Sequence, residues 1–287
     1  MKEKLLIGAS SRFHTVTPDG KYSPIEMVEH FHKVGFQAID FDIATVPDDM
    51  GADWKRILGE TADLAAKYGI RMDYGHLPFK PVKRADGSDD KEQFRKNMML
   101  AIEAASFAGI KNAVIHPARN KTADDGFKRN VEYLTPYAEQ AAKYGVRLTI
   151  ENMRSGREAE GIHRYSSVAD EVIEIADYFG ADVCWDFGHS HTTGLRKQSE
   201  ELEKVGKRLK VLHVNDNHGG EDEHLPPFLG TIDWLDAVEG LRKAGYTGVF
   251  NYECKMFRLP MDAGVREGIA AYMLGVGNYL TDLIARD

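Results

Sequence analysis

Seven times along this chain, a helix-like amphipathic stretch ends in glycine and a short apolar run follows it. FQAIDFD follows Gly35, IRMDYGH follows Gly69, IKNAVIH follows Gly109 and VRLTIE follows Gly145; ADVCWD follows Gly180, KRLKVLH follows Gly206 and YTGVFNYE follows Gly245. Glycine just past a helix supplies the left-handed C′ conformation, and β-branched or aromatic residues after it favour a strand. Successive glycines lie 34, 40, 36, 35, 26 and 39 residues apart, about the length that one helix, one strand and two loops require. With an opening strand at residues 4–9 and a closing helix at 264–285, the chain reads as eight strand–helix units.

Strict alternation of strand and helix implies a parallel sheet. Eight units in 287 residues, without a composition break or linker, favour one domain over residues 1–287 closed into a (β/α)₈ barrel. No G-x-G-x-x-G and no P-loop lysine motif follows any strand, which weakens an open nucleotide-binding sheet. Hydrophobic residues at 43% and charged residues at 29% are ordinary globular values and exclude disordered, collagen-like and coiled-coil chains. The net charge of −8 means that a strongly anionic partner must meet a local basic patch. Two cysteines cannot form a disulfide scaffold and point to a reducing compartment. No run approaches a membrane span, and the amino-terminal apolar stretch is too short for a signal peptide, so a cytoplasmic location is expected.

Each strand-like run closes on an acid or a histidine six to eight residues after its glycine: Asp42, His76, His116, Glu151, Asp186, His213 and Glu253. In a barrel these are the carboxyl ends of the strands, the face where active sites lie. One such residue is ordinarily a helix cap, a solvated acid or a structural histidine. Seven in near register is a different matter, because independent capping would bring in Ser, Thr and Asn as well. A set drawn only from carboxylates and imidazoles is what a divalent metal centre needs. Loops add His189, Asp222 and His224, with His191 and His218 as further loop histidines.

The segments LTIEN (148–152), CWDFGH (184–189), LHVND (212–216), DEHLPP (222–227), GTIDW (230–234) and YE (252–253) together resemble the xylose isomerase-like TIM barrels. That superfamily includes sugar isomerases, keto-sugar 3-epimerases and endonuclease-IV-type apurinic endonucleases. For the sugar enzymes the resemblance implies one divalent ion (Mn, Mg or Zn) on Glu151, Asp186, His213 and Glu253, with Glu151 and Glu253 also carrying the proton chemistry. For the endonucleases it implies additional zinc ligands at His76, His116, His189, Asp222 and His224; in a sugar enzyme the same five would bind substrate or a second metal.

The acidic charge, and the absence of a basic run interleaved with aromatics, favour a small-molecule sugar or sugar phosphate over nucleic acid. The loop Leu77-Pro78-Phe79-Lys80-Pro81 reads as a stiff wall where the endonucleases carry a DNA wedge. Phe228-Leu229-Gly230 departs from the Gly-x-Gly of the sugar branch. The implied reaction is isomerisation or epimerisation by proton transfer through an enediolate. Arg154, Arg157 and Arg258 are candidate clamps for an anionic group. Phe13, Phe79 and Trp185 lie near the expected mouth, with Trp185 read as core. No membrane partner is expected, and homo-oligomerisation is left open.

Overall fold

The computed structural model describes residues 3–14, 16–17, 20–119, 125–155, 164–194, 197–255 and 262–286. Eight parallel strands carry the architecture: β1 (Leu6–Ser10), β2 (Ala38–Asp42), β3 (Arg71–His76), β4 (Asn112–Ile115), β5 (Arg147–Glu151), β6 (Asp182–Asp186), β7 (Leu209–His213) and β8 (Val249–Tyr252). Strands β1 to β7 pair in sequence order, and β8 pairs with β1 through Gly8 and Asn251. The ring closes between β7 and β8, where Val214 N–H donates to Asn251 O (2.8 Å) and Glu253 N–H donates to Val214 O (3.0 Å). The result is a (β/α)₈ barrel.

The principal helices are α1 (Pro24–Val34), α2 (Trp54–Lys67), α3 (Lys91–Phe107), α4 (Gly126–Tyr144), α5 (Ala169–Phe179), α6 (Gln198–Val205), α7 (Trp234–Ala244) and α8 (Ala263–Ala285). Local chemistry starts and stops them. Ser23 and Glu26 form a reciprocal capping box ahead of Pro24, satisfying two backbone donors that the first turn would leave open. All seven junction glycines have positive φ, from 55° to 99°, a conformation that costs an L side chain steric energy. Gly206 departs from the pattern: at φ 55° and ψ −132° it turns into a short 3₁₀ segment (Gly206–Arg208), so β7 begins only at Leu209. The first strand likewise runs two residues later than expected, over Leu6–Ser10.

Two apolar layers result from strand alternation. Side chains facing outward meet the helices in a continuous core that includes Phe31, Leu58, Ile102, Leu134, Trp185 and Phe250. Those facing inward fill the barrel with Ala38, Tyr74, Val114, Cys184, Val211 and Val249. Cys184 thus lies inside the barrel and Cys254 in the outer core, both as buried free thiols. Two positions further along several strands, the inward direction carries polar groups instead. Among the described residues, no helix is long and apolar enough to cross a membrane.

Candidate metal centre

Alternation aims the strand-end residues at one point. His76, Glu151, Asp186 and His213 end β3, β5, β6 and β7; His116 and Glu253 lie one residue past β4 and β8. Glu151, Asp186 and His213 are at most 1% exposed, and Glu253 is 6% exposed. These four bring one ligand atom each to within 4.8 Å of one another. His213 Nδ1 stands 3.0 Å from Glu151 Oε1, 3.5 Å from Glu253 Oε2 and 3.9 Å from Asp186 Oδ2. Two more groups adjoin: His76, His116 and Glu151 on one side, and His189, Asp222 and His224 on the other. His76 with His213 and Glu253 forms an overlapping group. All nine expected ligand positions therefore converge. Asp42 does not join them; it ends β2 near His76 but belongs to none of the groups.

The donor set fits a cation on an observation independent of composition. Glu151 Oε2 is buried and accepts no hydrogen bond, although the Nε2 atoms of His116 and His76 lie 2.9 and 3.4 Å away. Imidazole nitrogens gathered around an unsatisfied carboxylate oxygen leave a desolvation cost that a shared cation would remove. Backbone carbonyls fix the tautomers: His76 Nδ1 donates to Leu77 O (2.8 Å), His189 Nδ1 to Asn152 O (2.9 Å) and His224 Nδ1 to Glu253 O (2.8 Å). Each ring therefore keeps its Nδ1 on the backbone and turns Nε2 toward the carboxylates of the site: His76 Nε2 to Glu151 Oε2 (3.4 Å) and His224 Nε2 to Asp222 Oδ2 (2.9 Å).

The carboxylates and imidazoles also compensate one another's charge. Burial would raise the Glu151 carboxyl, yet His213 and His116 outweigh it and hold the group well below the usual carboxylate range. Burial pushes Asp186 up to about 6. Burial would depress His189, but Asp186, Asp222 and Glu151 outweigh it and raise the ring to about 9.

Four residues not singled out as site residues position the ligands. Asp40, inward on β2, lies 3.3 Å from His213 Nε2 and accepts from Asn251 Nδ2 (3.2 Å). Asn152 accepts from Asp186 N–H (2.5 Å) and donates to Asp186 O (2.9 Å), joining the tops of β5 and β6. Asn215 Nδ2 donates to Asp186 Oδ2 (2.8 Å). That amide occupies the space beside Gly188, where a Cβ would stand 1.9 Å from Asn215 Oδ1. Asp216 accepts from Trp234 Nε1 (2.8 Å) and from the amides of Phe228, Ile232 and Asn217. It thereby folds the 217–231 loop over the site and delivers Asp222 and His224. The motifs LTIEN and LHVND contained these asparagines and Asp216, so a signal existed; an interior Asp40, the third residue of β2, gave none.

The remaining expectations sort by contact. Phe79 stacks on His116 (4.4 Å between centroids) and carries the Arg12 guanidinium on its other neighbour contact at 4.3 Å, so it walls the site. Trp185 is fully buried and donates to Gln198 Oε1 (3.0 Å), a core role. His191 is buried against Thr231 Oγ1 (2.9 Å), and His218 pairs with Glu223 on the surface; neither belongs to a ligand group. Phe228, in the Phe228-Leu229-Gly230 segment, has a positive φ of 69°, a conformation that favours glycine. Arg154 is half-buried, 3.9 Å from Glu221. Arg157, Arg258 and the Phe13 side chain lie outside the described residues.

With barrel and site in place, the chain belongs to the xylose isomerase-like TIM barrel family, whose model matches residues 28–274. Among sequence relatives, uncharacterized protein MJ1311 of Methanocaldococcus jannaschii is 28% identical over 190 residues, 64% of each chain. Two solved structures share the fold across nearly the whole length. A D-tagatose 3-epimerase-like protein aligns with a TM-score of 0.68 and 22% identity, over 96% of this chain and 99% of its own. A D-psicose 3-epimerase determined with D-fructose aligns with a TM-score of 0.73 and 16% identity over the same shares.

Proposed function

We propose that this protein is a metal-dependent isomerase or epimerase of sugars. The observation that carries the reading is the buried Glu151–Asp186–His213–Glu253 group, with its two glutamates entering from β5 and from the end of β8. The likeness in fold to a D-tagatose 3-epimerase-like protein and a D-psicose 3-epimerase supports it. When bound, a divalent ion would supply charge stabilisation for the oxygens at and beside a substrate carbonyl. Asp186 and His213 serve as ligands without a proton-transfer role. Glu151 and Glu253 are the bases: one carboxylate removes the proton from the carbon beside the carbonyl. If the other returns a proton to the opposite face of that carbon, the outcome is epimerisation; if one carboxylate moves the proton to the neighbouring carbon, it is aldose–ketose isomerisation.

The test is exchange of solvent deuterium into a panel of ketoses by metal-loaded protein, read alongside metal content. Glu151→Gln and Glu253→Gln, both retaining metal, are expected to slow turnover by about 10²–10⁴-fold. Parent-rate turnover in both variants refutes the assignment. A second reading, an apurinic-site endonuclease, is favoured by the two outlying ligand groups. Nicking of abasic DNA that depends on His116 and His189, with no ketose exchange, would establish it instead.

A further inference from the structure

The site opens into a cavity of about 580 Å³, within the range of small-molecule pockets. Its wall includes His116, His189 and Asp222 of the metal centre and also Arg119, Arg154 and Arg164. With Arg95 on the same wall, four guanidinium groups line one pocket, which is unexpected in a chain of net charge −8; Arg119, Arg154 and Arg164 follow the metal-centre strands β4 and β5. The described acids on the same wall are mainly engaged elsewhere, although Asp89 also feels the charge of Arg119. Asp89 pairs with Lys83 (2.5 Å), Asp90 with Arg84 (3.3 Å), and Asp222 with His224 (2.9 Å) and Lys255 (3.7 Å). Among the described residues, Arg154 has one loose ion pair, with Glu221 at 3.9 Å. Arg119 and Arg164 form no ion pair with another described residue. Burial and then the charges of Arg154 and Arg119 hold the Arg164 guanidinium below its ordinary value, so the three cations are close enough to repel one another.

We infer that the substrate is an anionic sugar, whose phosphate or carboxylate sits among Arg119, Arg154 and Arg164 while its carbonyl end reaches the metal centre in the same cavity. This rests on the sugar reading for the reacting end; the anion seat itself stands on the arginines. The planar guanidinium fork matches either anion through paired hydrogen bonds, and the three residues come from the loops after β4 and β5 and line the same cavity as His116, His189 and Asp222.

The experiment is isothermal titration of metal-loaded protein with inorganic phosphate and, separately, acetate, in the parent and in R119Q, R154Q and R164Q. Phosphate affinity falling about tenfold or more in R164Q and R119Q, the equivalent of one charge-assisted hydrogen bond, supports the inference and names a phosphorylated sugar. The same dependence for acetate alone supports it and names a sugar acid. Affinity for both anions that ignores all three substitutions overturns it, since the anion then sits on the metal or nowhere defined. R119Q changes an exposed residue and carries the test if R164Q fails to fold. Anion binding needs no turnover, so loss of the sugar reading would appear in the exchange assay while arginine-dependent binding remained.

Discussion

Gly188→Ala is a one-carbon change that should disarm the metal centre without touching a ligand. Gly188 has no special backbone angle; its constraint is space. The new Cβ would stand 1.9 Å from Asn215 Oδ1 and 3.0 Å from Asn217 Nδ2, so Asn215 must retreat by roughly 1.5 Å to reach van der Waals separation. Asn215 cannot do so and keep its 2.8 Å hydrogen bond to Asp186 Oδ2. Two effects follow: overpacking costs about 1–3 kcal/mol of stability, and loss of a ligand-orienting hydrogen bond costs about 10–100-fold in metal affinity. Thermal unfolding and competitive metal titration read them separately. The pair G188A/N215A distinguishes the causes, because it removes the clash and should regain most of the melting temperature while metal affinity stays low. Parent-like stability and affinity in G188A alone would refute the reasoning, since Asn215 would then not be pinned between Gly188 and Asp186.

Other outcomes follow from single contacts. Asp40→Asn replaces the acceptor facing His213 Nε2 with an amide and should weaken metal binding about 10–100-fold, measured by the same titration with the fold checked by circular dichroism. Trp234→Phe removes one hydrogen bond to the buried Asp216 carboxylate and should cost about 1.5–3 kcal/mol in denaturant unfolding, with affinity at the His224 group falling as the loop loosens. His30, half-buried on α1, is depressed to about 4 by burial and by Arg266. Its neutral form therefore favours the fold above pH 6.5, and that contribution fades as pH falls from 6.5 toward 4. An NMR titration of the ring with a midpoint at or above 6.5 would contradict this.

Sequence reading recovered what periodicity encodes. Six of the seven glycines mark helix ends because a left-handed residue there is a local requirement, independent of tertiary context; Gly206 ends its helix in a different turn. That the strand-end acids and histidines gather at one point was legible because alternation and a near-constant spacing from each glycine convert a register in sequence into a ring in space. Asp40 was not, since a lone acid inside an apolar run looks the same whether it faces a histidine or solvent. Asp42 was over-read for the same reason: its place in the register matches His76, but it falls outside every ligand group. The role of Asp216 depends on Trp234 eighteen residues later, a contact that no local pattern announces.

The closure between β7 and β8 rests on few backbone hydrogen bonds around Val214, and His213 and Glu253 flank it, 3.5 Å apart. A cation held by that pair would act as a rivet across the last joint of a hoop, tying the final strand to its neighbour as well as serving chemistry. Occupancy at 100 times the dissociation constant is worth about 2.7 kcal/mol to the folded state, and here that energy is applied at the joint where the circle would part first. Amide hydrogen exchange at Val214 and Glu253 should therefore slow more on metal addition than exchange in β4, on the far side of the ring. The same chain would be a fully formed barrel with metal and one prone to springing open at a single seam without it.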